Sequence, residues 1–169
     1  MVKKWYAIKT QPRKEFYAKT NYENQSFEVF LPVTVRIARH ARKVKEVLSP
    51  LFPGYLFLHL ADQETNWVAV SSTRGAVGPV RFGDYYPPVP GWFIDGLMER
   101  ADENGVISVS TKEKFGFEPG DRVRVSGPND TIIEGILKSL DGKDRAIILL
   151  DMLKKQVKVT VPVSSLRAA

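Results

Sequence analysis

Apolar and polar positions change period several times along the 169-residue chain, and each change marks an element. WYAIKT, residues 5–10, is rich in aromatic and β-branched types and predicts a first strand. Pro12 suits the first turn of a helix, which the pattern carries to about Asn24, before the polar NQS. FEVFLPVTVRI, residues 27–37, is extended, and Pro32 within it marks an edge strand or a bulge. Residues 44–48 and 55–60 predict further strands, punctuated by Pro53-Gly54. Asp62 is placed to cap a short helix carrying Trp67, Val68 and Val70. GAVGPVRF, residues 75–82, predicts another strand. Pro90 then opens a second helix, GWFIDGLMERADEN, with Phe93, Ile94, Leu97, Met98 and Ala101 on one stripe. Strand and helix alternate here without a parallel βαβ glycine signature, which predicts an α+β layered domain over residues 1–103.

The pattern then fades, and residues 104–116 read as a linker. Over residues 117–169, short β-like runs are cut by Pro-Gly, Gly-Pro-Asn-Asp and Asp-Gly, the spacing of a small antiparallel barrel. The same residues carry a second period. Ile133, Ile136, Leu137 and Leu140 fit a helical stripe, as do Ala146, Leu149, Leu150, Leu153 and Val157, whereas Val157, Val159 and Val161 alternate as a strand does. Periodicity leaves both structures open.

Composition narrows the class. Hydrophobic residues make up 43% and charged residues 26%, as in a globular protein. No run approaches the roughly 18 apolar residues of a membrane span, and MVKKWYAIKTQPRKE has no apolar signal core. The absence of cysteine excludes disulfides, thiolate metal sites and cysteine nucleophiles, and a cytoplasmic protein is expected. His40 and His59 have no partner at ligand spacing, and no paired carboxylates, nucleophile set or Gly-rich phosphate loop stands out. No catalytic residue, metal or cofactor is therefore expected, and an enzyme is not.

Charge changes the picture more. The net charge is +6, but residues 1–60 hold eleven Lys and Arg against four acids, a local +7. A polyanion partner follows, nucleic acid being the commonest. Arg36, Arg39, His40, Arg42, Lys43 and Lys45 form a basic run with no acid until Glu46, and it leads directly into the apolar SPLFPGYLFLHL. Within that block Tyr55 and Phe57 stand two apart and share a strand face. Lys14, Tyr17 and Asn21, three and four apart, share a helix face.

WYAIKT, PLFPGYLFL, STRGAVGPVRFG and PGDRVRV followed by EGIL together resemble the NusG family of transcription elongation factors, over nearly the whole chain. Within it the short chain is most similar to the specialised RfaH-like paralogues. The resemblance implies a NusG-type N-terminal domain with an antiparallel sheet and flanking helices, a linker, and a C-terminal KOW β-barrel. In RfaH-like proteins the C-terminal segment also exists as a helical hairpin over the polymerase site. It implies a monomeric factor that suppresses pausing or termination. Phe52, Tyr55, Phe57 and Phe82 would face the clamp helices of the largest subunit of bacterial RNA polymerase. Lys14, Tyr17, Asn21, Thr73 and Arg74 would contact non-template DNA, with Arg39, Arg42 and Lys43 on a neighbouring basic hairpin. Gly135 would be the KOW glycine, and that domain would recruit a ribosomal protein or Rho. RfaH-like proteins carry a polar, threonine-containing segment where this chain has Asn66, Trp67 and Val68, and Trp67 is expected in the core. The alternative is a KOW-type RNA-binding protein of ribosomal type, which the nearly balanced charge of residues 117–169 disfavours.

Overall fold

A computed structural model of the chain describes residues 2–109, 130–139 and 141–159. In chain order the elements are β1 (Lys4–Thr10), α1 (Glu15–Asn24), β2 (Glu28–Phe30), β3 (Val33–His40), β4 (Lys43–Pro50), β5 (Tyr55–Leu60), α2 (Trp67–Ser72), β6 (Ala76–Pro79), β7 (Pro88–Val89), α3 (Gly91–Arg100), α4 (Asp130–Lys138) and α5 (Gly142–Val159).

Antiparallel pairing builds the main sheet in the order β2-β5-β1-β6, with β7 also pairing β1. Alternation along β1 and β5 sends Trp5, Ala7, Tyr55 and Phe57 to one face and Tyr6, Ile8, Leu56, Leu58 and Leu60 to the other. Both faces are covered, so YLFLHL reads as an unbroken apolar run rather than an alternating one. On one face lie α1 and α2, through Ala18, Tyr22 and Val70. On the other lies α3, through Phe93, Ile94 and Leu97, together with α4 and α5. The result is an α+β fold of helices, sheet and helices.

Several expectations shift. The first helix begins at Glu15, not Pro12, and Leu31-Pro32 breaks the extended 27–37 run into β2 and β3. Asn66, not Asp62, caps α2: its side-chain oxygen accepts the Val68 and Ala69 amides at 3.1 and 3.2 Å. Trp67 is half-buried and stacks on Tyr86 at 4.3 Å, packed against the core as expected. In α3 the buried stripe is Phe93, Ile94 and Leu97. Met98 is 41% exposed, and Ala101 is the C-cap rather than a helical residue. Residues 104–109, the start of the expected linker, lie against the domain. The Asp102 carboxylate accepts the Asn104 and Val106 amides, Ile107 donates its own amide to the Val33 carbonyl at 2.8 Å, and its side chain is buried.

The largest departure is C-terminal. Where a barrel was expected over residues 117–169, residues 130–138 and 142–159 are helical; residues 117–129 and 160–169 lie outside the described residues. The helical stripe prevails because it has a surface to cover: Ile133, Ile136 and Leu137 of α4 and Ala146, Leu149 and Leu153 of α5 are all buried against the sheet side that carries α3. Gly135, expected as the KOW glycine, lies within α4. Leu140 lies outside the described residues, as does the side chain of Val157. Among the described residues no helix is long and apolar enough to cross a membrane.

Candidate functional site

The apolar side of the site is built on a turn. Gly54, at φ +85°, takes a backbone conformation that a side chain would strain. Its amide donates to the buried Glu15 carboxylate at 2.8 Å, and its carbonyl accepts the Thr10 amide at 2.8 Å. The turn is thus tied to both α1 and β1, and it drives Phe52 under the sheet. Phe52 meets Phe57 edge-on at 5.9 Å and Phe93 at 6.1 Å, and Phe57 stacks near Phe30 at 6.3 Å.

Phe52 and Phe57 are fully buried, and Tyr55 is 8% exposed with burial pushing its hydroxyl pKa upward. Phe82 is half-buried at the edge of the same cluster. The four residues expected at the polymerase contact therefore do gather on one side of the sheet, but α4 and α5 pack over that side. Arg145 of α5 sits in this interface, 7% exposed. Its Nε donates to the Leu51 carbonyl at 2.7 Å and its Nη1 to the Ser139 carbonyl at 3.0 Å. Burial lowers its pKa, opposed by Asp141 and Asp144. A cleft of about 650 Å³ runs between Tyr55, Arg81 and Phe82 on one side and Leu150, Asp151 and Lys154 of α5 on the other. Leu51, Phe93 and Leu97 complete the face; the apolar stripe of α3 was legible, its neighbourhood was not.

A second feature lies across the molecule, where α1 meets the Thr73-Arg74-Gly75 turn. Asn21 donates its side-chain amide to the Arg74 carbonyl at 3.0 Å, and the Gln11 amide donates to the Gly75 carbonyl at 2.9 Å. Gly75, at φ +90°, is a position where a side chain would be strained, and a Cβ there would crowd Tyr17 and Ala18 at 3.0 to 3.2 Å. Lys14 sits just before α1 with Nζ 5.4 Å from the Tyr17 ring centroid. Lys14, Tyr17, Asn21 and Arg74 are thus brought together. Thr73 is not offered outward: it is 5% exposed, donating to the Ala69 carbonyl at 2.9 Å and accepting from Gln25 Nε2 at 2.9 Å. Phe16, 46% exposed beside the 48% exposed Tyr17, was missed by sequence reasoning, because an aromatic residue on a helix is ordinarily core. Exposed rings, amides and a guanidinium can stack on and hydrogen-bond an unpaired base.

The third feature is the β3–β4 ribbon, a separate two-stranded sheet. It turns at Ala41 and Arg42, φ +48° and +66°, the paired left-handed positions of a tight hairpin. The register divides its side chains into two faces. One presents Arg36, His40, Lys43 and Lys45. The other presents Val35, Ile37, Val44 and Leu48, between 44% and 65% exposed, with Arg39 and Glu46. Arg39, Arg42 and Lys43 are all exposed, but Arg39 and Lys43 point to opposite faces.

Residues 3–98 match the family described as "Transcription termination factor nusG". A relative from Thermus thermophilus, "Transcription termination/antitermination protein NusG", is 32% identical over 142 residues, covering 73% of this chain and 76% of its own. The protein of the same name from Staphylococcus aureus is 27% identical over 173 aligned positions, covering 94% of this chain and 92% of its own. A solved structure of Thermotoga maritima NusG is similar with a TM-score of 0.43 at 24% identity, over 70% of each chain.

Proposed function

The chain belongs to the NusG family of transcription termination/antitermination proteins, and from that premise we propose that it is an RfaH-like elongation and antitermination factor held in a closed state. Its N-terminal domain binds RNA polymerase through the face that carries Phe52, Tyr55, Phe57 and Phe82, against the clamp helices. The α1 and Arg74 surface, with the β3–β4 ribbon, faces non-template DNA and its surroundings. Binding holds the elongating conformation and makes pausing less favourable, a population shift driven by differential affinity.

One observation carries this reading: α4 and α5 are helical and cover that face. A NusG-type domain whose apolar side is occupied by its own chain binds a partner only after opening, so its apparent affinity is reduced by the open fraction. Each leucine or isoleucine side chain buried in the cover contributes about 1.5–3 kcal/mol to closure before entropy is counted. Once displaced, the C-terminal residues retain the strand-like alternation and turn signals of a KOW barrel. Refolding into that barrel, they recruit a ribosomal protein or Rho; two packings of one sequence need differ by only a few kcal/mol.

The test is association of the full chain with bacterial RNA polymerase, free and in elongation complexes, alongside two variants. Phe82→Ala, at the half-buried edge of that face, weakens binding. Arg145→Ala, which unlatches α5, strengthens it. If neither the wild type nor Arg145→Ala associates with either form of polymerase, the reading fails.

A further inference from the structure

Gly96 stands in the middle of α3, between the buried Ile94 and Leu97. Glycine is the poorest helix former apart from proline, and alanine is preferred at such a position by roughly fivefold. The backbone gives no reason for it, because the φ of Gly96 lies outside the left-handed region. Packing does. A Cβ built on Gly96 falls on the Cδ1 methyl of Ile133 and 3.8 Å from its Cγ1, and outside α3 itself nothing else among the described residues comes within 4 Å. The missing side chain of α3 is therefore filled by α4. The atom met is the end of the Ile133 side chain, but Ile133 is 5% exposed in the cluster that includes Ile136, Leu137 and Leu149, so moving its methyl means repacking inside that cluster. The other helix has a similar contact: a Cβ on Gly142, the first residue of α5, would lie 2.7 Å from Cγ and 3.0 Å from Cδ of Pro53, a ring that cannot rotate away.

We infer that Gly96 is a steric selector for the closed state: α3 accepts a poor helix former there because only glycine leaves the hole that Ile133 enters. This rests on the closed-state reading above. It has an unusual consequence. Gly96→Ala stabilises α3 and the domain that contains it, yet releases α4 and α5.

The experiment is amide hydrogen exchange on the full chain without polymerase, comparing wild type, Gly96→Ala, Ile133→Val and the double variant. Valine lacks the Cδ1 methyl that meets the new Cβ. Gly96→Ala raises exchange across 130–138 and 142–159 by roughly tenfold or more, while protection in β1 and β5 stays or increases. Ile133→Val alone opens the hairpin slightly. The double variant is less open than Gly96→Ala, a reversal that general destabilisation does not produce. Unchanged exchange of α4 in Gly96→Ala, or a double variant as open as Gly96→Ala or more so, overturns the inference. If Gly96→Ala also loses protection in β1 and β5, the substitution destabilises the whole domain rather than the closed state, and the inference is overturned. Opening that brings no polymerase association leaves the selector intact and refutes the proposed function instead.

Discussion

Tyr22 ties α1 to α2. Its side chain is fully buried, and its hydroxyl donates to the Val70 carbonyl at 2.6 Å. Burial raises its pKa well above the ordinary value of 10.0, and burial with Asp62 nearby pushes Tyr6 up to about 12. The sign follows from linkage. Above pH 10 the unfolded tyrosines lose protons that the native ones keep, so the native state binds more protons and stability falls as pH rises. Below pH 10 both states are protonated and the contribution is fully present. Tyr22→Phe should cost about 1–2 kcal/mol at pH 7, by leaving the Val70 carbonyl unpartnered, and should flatten the alkaline fall. Urea midpoints from pH 7 to 11 check this, and an equally steep fall in the variant would remove Tyr22 as its cause. Thr73 and Arg74 separate at the same scale. Thr73→Val should lower stability by about 1 kcal/mol with little effect on single-stranded DNA binding, while Arg74→Ala should do the reverse; denaturation and fluorescence anisotropy distinguish them. Spacing made Tyr17 and Asn21 legible in the sequence because neighbours at four residues depend only on the local helix, and Lys14 joins them from the position just before it. The fate of the Thr73 hydroxyl was not legible, since one partner, Ala69, lies in α2 and the other, Gln25, lies 48 residues away at the end of α1.

Elements assign faces that residue types do not. The basic run of residues 36–45 was plain in the sequence, but which cations act together depends on the β3–β4 register, which pairs His40 with Lys43 and Arg39 with Val44. A duplex lying on the basic face meets Arg36, Lys43 and Lys45 but not Arg39. Lys43→Ala and Lys45→Ala should therefore each lower the slope of log affinity against log salt by about 1, and Arg39→Ala should leave it nearly unchanged. Titrations from 50 to 200 mM salt decide, and equal slopes for all three variants would refute a one-sided contact. Strands β1 and β5 were legible almost to the residue, because aromatic and β-branched runs bounded by turn residues have one reading. Residues 131–159 had two, as their apolar positions satisfy both a period near 3.6 and a period of 2. Local sequence could not decide between them; the apolar side of a distant sheet does.

At the scale of the whole molecule the decisive quantity is the balance between closed and open states, and Arg145 is engaged in it directly. Its guanidinium joins α5 to the Leu51 carbonyl, a hydrogen bond across 94 residues of chain, and also holds the Ser139 carbonyl between the two helices. The Leu51 bond exists only while α4 and α5 cover the domain. Removing the guanidinium leaves the Leu51 carbonyl without that partner at the interface, a cost of about 1–3 kcal/mol. It falls on the closed state alone, because an opened interface returns the Leu51 carbonyl to water. The open fraction should then rise roughly 5- to 150-fold, and apparent affinity for polymerase by the same factor until the open state predominates. Arg145→Lys should fall between, since one ammonium cannot reproduce the fixed fork of a guanidinium. Affinity for elongation complexes, measured beside far-ultraviolet circular dichroism of the free variants, makes the two effects comparable. If helix content falls in Arg145→Ala while affinity stays at the wild-type value, the covered face is not where polymerase binds, and the role of the helical cover would have to be sought in folding rather than in control.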